Sequence, residues 1–251
     1  MIRVDTLGNG RVTALVLNRP GRRNALTPGG LSQLADAARA AANTSRVVVL
    51  MGEGKVFCAG FDLTLCRQSP DGAVMRELLR ALSHAVRTLR NLPIPVVAAA
   101  HGAAIAGGCA LLGGADIVVT DTHAELGYPV LRLGVSPAVS APFLMPGVGS
   151  GPARQLMLNP TLITGSAAHG MGLAHEPVQE PDEVAARARQ IASELADKPA
   201  VGLAATKRLL NQLDRTDSDD IAREALDVSL ALTGGDEERR LLRAGWARRS
   251  T

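Results

Sequence analysis

Aromatic side chains are scarce in this chain: one Trp, one Tyr and three Phe among 251 residues. Proteins that hold single-stranded nucleic acid stack its bases on rows of rings, so this scarcity argues against such a partner. The cysteines, Cys58, Cys66 and Cys109, are odd in number and form no Cys-x-x-Cys pair. That argues against a disulfide scaffold and a zinc site and fits a reducing compartment. No apolar run reaches the roughly 18 residues of a membrane span. The opening MIRVDTLGNG lacks the apolar stretch of a signal peptide. The expectation is a cytoplasmic protein with no metal, no membrane and no nucleic-acid partner. Charge excludes little: 27 Lys and Arg against 24 Asp and Glu leave a net +3, spread along the chain. Such a mild basic excess suits a phosphorylated small molecule.

What is present is apolar patterning, with 46% hydrophobic residues, enough for a substantial core. Residues 12–17 (VTALVL) and 47–51 (VVVLM) are continuous, β-branched runs, as in strands covered on both faces. Between them Thr27 can cap a helix with Pro28 in its first position. Leu31, Leu34, Ala35, Ala38 and Ala42 then share one face. The pattern recurs with a helix marked by Val74, Leu78, Leu79, Leu82, Val86 and Leu89. A strand follows at 93–100, a short helix over 105–114 and a strand over 116–120. Regular alternation predicts an α/β fold. After about residue 145 strand-like runs disappear, and helices are expected over 151–159, 181–197, 199–213, 217–233 and 236–249.

Two small-residue segments stand out, GEGKVFCAGFDL (52–63) and AAAHGAAIAGGCALLGGADIVV (98–119). Each places glycine where backbone approaches something closely. Neither is a dinucleotide fingerprint or a phosphate loop. Tight turns and close helix packing are the plain alternative. Taken with NRPGRRNAL (18–26) and LGVSPAV (133–139), in this order and spacing, they resemble the crotonase superfamily, the enoyl-CoA hydratase/isomerase family.

The resemblance implies a spiral of ββα repeats over about residues 1–195 and a C-terminal helical trimerisation region over 196–251. The assembly would be a homotrimer or a dimer of trimers. It implies an acyl-CoA substrate, with coenzyme A as part of that substrate and no tightly bound cofactor. It also implies two backbone N–H groups, of Phe61 and Gly107, forming an oxyanion hole for the thioester carbonyl. Ala106 stands where the family often has a third glycine. Arg22, Arg23, Ala25 and Ala59 occupy the family's CoA-binding places, and Lys207 that of a late-helix cation reaching the nucleotide. A solvated turn and an ordinary helix-surface lysine are the alternatives for the charged ones.

The resemblance fails at the acid–base groups. The two glutamates of the family's hydratases fall on Ala110 and Val130, neither of which transfers a proton. Other branches' groups are missing too: their positions hold Ala138, Ser83 (with His84 one place off), Phe61 and Val130. Glu125 reads as a surface carboxylate at a strand start, Asp62 as a turn-bonding one, and His101 as a satisfied core residue. Cys109 reads as a packing residue, and Asp116 and Arg132 as structural. Tyr128 either lines the acyl pocket or packs half-buried. Leu65, Met75, Leu78 and Leu79 are either pocket walls or helix core. Two functions stay open: an enzyme of the hydratase/isomerase (lyase or isomerase) type, as in fatty acid metabolism, with little or no standard hydratase activity, and a non-catalytic acyl-CoA-binding or assembly protein.

Overall fold

The computed structural model describes residues 1–69 and 71–247. The chain opens with strands β1 (Ile2–Leu7) and β2 (Val12–Leu17), then α1 (Pro28–Thr44) and β3 (Val47–Gly52). Thr27 caps α1 as expected, accepting the Gly30 N–H at 3.1 Å. Next come α2 (Leu63–Arg67), α3 (Ala73–Arg90), β4 (Val96–Ala100), β5 (Ala103–Ile105), α4 (Gly107–Leu112) and β6 (Ile117–Asp121). Strand β7 (Glu125–Gly127) precedes α5 (Ala141–Val148) and α6 (Ser150–Leu158). Then follow β8 (Ile163–Thr164), α7 (Gly165–Gly170) and β9 (Glu176–Val178). The last four elements are α8 (Glu183–Ala196), α9 (Ala200–Leu213), α10 (Asp219–Ala231) and α11 (Asp236–Ala247).

Strands do not cease at residue 145: β8 and β9 lie beyond it. They are too short to show a period and form because sheet edges are there to receive them. The helix expected over 105–114 starts two residues later, since Ile105 ends β5. Residues 248–249 of the last expected helix lie outside the described residues.

The main sheet runs β1-β2-β3-β4-β6-β9, and the second runs β5-β7-β8. In the main sheet only β1 and β2 are antiparallel. Successive side chains of a strand face opposite ways, and both faces here are buried. Leu15, Leu17, Val48, Leu50, Val96 and Ala98 join the large core that includes α1 and α3. Val12, Val16, Val47, Val49 and Val97 pack with Val184, Ala188 and Ile191 of α8. The continuous apolar runs follow from this double covering. Among the described residues no helix is long and apolar enough to cross a membrane.

Candidate functional site

The site is built where the turn after β3 meets the start of α4. Cys58 lies between two paired segments, its N–H donating to Ala103 O at 3.0 Å and its carbonyl accepting from Ile105 N at 2.9 Å. Three residues on, Leu26 N donates to Gly60 O and Asp62 N to Leu26 O, both at 2.8 Å. This pairing turns the Phe61 N–H away from Leu26. Gly107 is the first residue of α4, where an amide has no intrahelical acceptor. Among the described residues neither the Phe61 nor the Gly107 N–H donates to a protein acceptor.

Glycine makes the approach possible. Gly60 has φ +93°, and a Cβ there would stand 3.0 Å from Ile105 O and 3.6 Å from the Gly107 nitrogen. A Cβ on Gly107 would meet the Phe61 ring at 3.0 Å. The two free amides therefore belong to turns in van der Waals contact. Both residues line one cavity of about 110 Å³.

Ala106 lies between these turns at φ 55°, ψ −115°. A non-glycine residue in such a region stores about 1–3 kcal/mol. Glycine there relieves that strain but gives back about 0.4–1 kcal/mol through the unfolded chain. Ala106→Gly is expected to stabilise the protein by about 1 kcal/mol, seen as a Tm rise of about 2–4 °C. A fall in Tm would mean that the methyl's packing on the Gly60 turn outweighs the strain.

The cavity wall is apolar apart from a few hydroxyls. Ala110, Val130 and Tyr128 all line it, together with Ser136 and Ser140. Tyr128 is fully buried, and burial first, then the neighbouring Cys109, pushes its phenol well above its ordinary value. It lines the pocket and is packed rather than half-exposed. Of its lining residues Tyr128 alone is titratable. Met75 and Leu79 line it; Leu65 and Leu78 do not, and Leu78 is buried in the core.

The other expected positions fall as follows. Arg22 and Arg23 are exposed in and after a 3-10 turn, Pro20–Arg22. Arg23 O accepts the Ala59 N–H at 3.0 Å, and of Arg22, Arg23, Ala25 and Ala59 the last lines the cavity. Lys207 is neither on the surface nor free. It is 7% exposed, and its Nζ lies 2.7 Å from Asp116 Oδ2 and 2.9 Å from Ile94 O. Asp116 also accepts the Val96 N–H, so it is structural as expected. With its ammonium occupied between strand end and helix, Lys207 is placed as an interior pin, away from the Phe61–Gly107 pair. Ser83 is buried and His84 exposed against Arg39. Glu125 and Arg132 are exposed, and Ala138 opens a 3-10 turn. His101 is half-buried, its Nε2 2.9 Å from Gly54 O. The thiols of Cys58, Cys66 and Cys109 are all buried, which pushes them up to about 12, 11 and 12. Among the described residues no three His, Cys, Asp or Glu side chains gather as a metal would require.

Asp62 caps α2 through Thr64 and receives Arg19 Nη2 at 3.0 Å. Burial raises its carboxyl, but the hydrogen bonds from Thr64 and Arg19 outweigh that and hold it below its usual value. A carboxyl depressed in the folded state stabilises above the unfolded value of about 3.9. That contribution is lost as pH falls through the folded value. Asp62→Asn is therefore expected to destabilise at neutral pH and to differ less from the parent protein below about pH 4. Denaturant titrations showing one constant difference across that range would remove the carboxylate's charge from the account.

Asn24 has no counterpart in the sequence reading, although it sits inside NRPGRRNAL. It is 0% exposed, and its Nδ2 lies 2.9, 3.0 and 3.1 Å from the carbonyls of Glu53, Val56 and Phe57. It ties the basic turn to the turn that carries Phe61. An asparagine flanked by turn residues was the one local signal.

Known proteins resemble this chain over most of their length. The model of the enoyl-CoA hydratase/isomerase family matches residues 8–233. The 1,2-epoxyphenylacetyl-CoA isomerase of Escherichia coli K12 is 32% identical over 209 residues, 81% of this chain and 79% of the relative. The crotonyl-CoA hydratase of Syntrophomonas wolfei is 30% identical over 213 residues, 83% of this chain and 81% of the relative. A crystal structure of an enoyl-CoA hydratase/isomerase from Xanthobacter autotrophicus Py2 superposes with a TM-score of 0.87 at 28% identity, covering 99% of this chain and 96% of that one. With the fold matched end to end and the family model spanning both turns of the cavity, the chain belongs to the enoyl-CoA hydratase/isomerase family of the crotonase superfamily.

Proposed function

We propose that this protein binds an acyl-CoA thioester with the carbonyl oxygen between the amides of Phe61 and Gly107, and that it stabilises the thioester enolate there. The observation that carries the reading is the meeting of two unpaired amides at an apolar cavity. Negative charge develops on the carbonyl oxygen as the enolate forms, and one preplaced donor is worth about 2.7–4 kcal/mol in such a transition state. Coenzyme A is read as lying along Arg22, Arg23, Ala25 and Ala59: Ala59 lines the cavity and bonds to Arg23 O, and the exposed guanidinium groups of Arg22 and Arg23 suit phosphate. Lys207 has no part in this reading. Coenzyme A enters as part of the substrate.

The chemistry is of the hydratase/isomerase kind with standard hydration weak or absent, because Ala110 and Val130 line the cavity in place of carboxylates. The same wall favours a second reading, a non-catalytic acyl-CoA-binding protein of this fold. Bare apolar side chains on α9, Val201 at 85% and Leu213 at 71% exposure, support self-association, which we read with the resemblance as a homotrimer or dimer of trimers; a cytoplasmic location belongs to the same reading.

Titration calorimetry with butyryl-CoA tests the binding. Saturable binding is expected in the parent protein, weakened by Gly60→Val, which forces the two turns apart. No heat at millimolar ligand would overturn both readings.

A further inference from the structure

A second cavity, of about 300 Å³, lies on the far side of Met75, which lines both it and the oxyanion cavity. It is bounded by α2, the start of α3 and α11. The wall between the two is thin: a Cβ on Gly134, the neighbour of the cavity-lining Leu133, would stand 2.8 Å from Glu238 Cα.

This second space is built for a negative group. Arg67, Arg239 and Arg243 line it, with Ser69 among them. Arg239 also reaches Asp236 at 3.5 Å, and Arg67 and Arg243 are exposed at the rim. The one carboxylate in the lining is Glu238, 2% exposed, whose Oε2 accepts the Gly234 N–H. Its Oε1 is buried without any hydrogen-bond partner, a condition shared among the described residues only with Asp121 Oδ1. A buried polar atom left in this state is costly. Burial raises the Glu238 carboxyl from its usual value, against the opposing pull of the Gly234 N–H and of Arg76 and Arg239.

We propose that the acyl site continues past Met75 into this cavity, and that its substrates are acyl-CoA thioesters whose chain ends in a carboxylate, held by Arg67, Arg243 and Arg239 with Glu238 beneath them. The proposal rests on the acyl-CoA reading above and adds the substrate class. Met75 stands between the two cavities, and its unbranched side chain has the rotamer freedom that passage of a chain requires. Three guanidinium groups beyond the apolar cavity reward a far-end carboxylate and give nothing to a methyl end.

The test compares adipyl-CoA with hexanoyl-CoA and with free CoA, by calorimetry, on the parent protein and on Arg67→Met/Arg243→Met. Both substituted residues are exposed, so folding is retained. The parent protein is expected to bind adipyl-CoA about tenfold more tightly than hexanoyl-CoA. The double variant is expected to lose that preference while keeping its affinity for hexanoyl-CoA and free CoA. Equal or tighter binding of hexanoyl-CoA by the parent protein overturns the proposal and leaves the acyl-CoA reading standing. A variant that loses free CoA to the same extent also overturns it, since the arginines then hold the nucleotide phosphates. Failure of all three compounds to bind the parent protein overturns the acyl-CoA reading, and the proposal with it.

Discussion

The purified protein is expected to hydrate crotonyl-CoA about 10²–10⁴-fold more slowly than a relative carrying both glutamates. Adding water across the double bond takes a base to accept a proton from the water and an acid to deliver one to the α-carbon. The resemblance assigns these tasks to positions 110 and 130, and the residues lining the cavity there are Ala110 and Val130. Tyr128 is the single titratable side chain there, and its phenol is held well above its ordinary value by burial. It keeps its proton at neutral pH and can donate a hydrogen bond, but it is no base. The backbone amides of Phe61 and Gly107, in the oxyanion role proposed for them, would stabilise charge and move no proton, so they would not replace acid–base groups. Loss of the enoyl-thioester absorbance measures the rate. A rate within about tenfold of such a relative would show that a base reaches the substrate from outside this wall.

Asn24→Ala is expected to cost about 3 kcal/mol or more, a fall in Tm near 10 °C, and to weaken acyl-CoA binding. The amide group's donors are shared among three carbonyls of the segment leading to Phe61. Its Oδ1 accepts the Arg19 N–H at 2.9 Å, and its own carbonyl lies 3.3 Å from Cys58 Sγ. Alanine leaves those carbonyls buried without the donor. It must also hold φ 56°, which costs an ordinary side chain about 1–2 kcal/mol. Chemical denaturation gives the first number and calorimetry the second. A loss under about 1 kcal/mol would show that the two turns hold each other without this amide.

The double-sided strands were plain in the sequence because burial on both faces leaves no room for polar alternation, as Val47 to Met51 show. The start of β7 at Glu125 was legible, but β8 and β9 were not, since two or three residues carry no period and their pairing is decided by partners far along the chain. The Thr27 cap was local and legible. Positions 61 and 107 were reached through resemblance, and what lets them meet, a glycine at φ +93° with no room for a side chain, is a property of two turns together. Asn24 looks like any turn residue until its three carbonyls arrive from residues 53–57. Lys207 lies on an amphipathic helix with bare leucines, and nothing nearby in sequence reveals a partner 91 residues away.

The cysteines have a consequence for anyone working at the bench. Alkylating reagents attack the thiolate, and these three sulfurs are both covered and reluctant to ionise. One sits in the Phe61 turn, one in α2 beside the arginine-lined cavity and one in α4. Labelling therefore waits for each segment to come open, and the three modification rates would time the local opening of three separate segments of the fold without any probe being introduced.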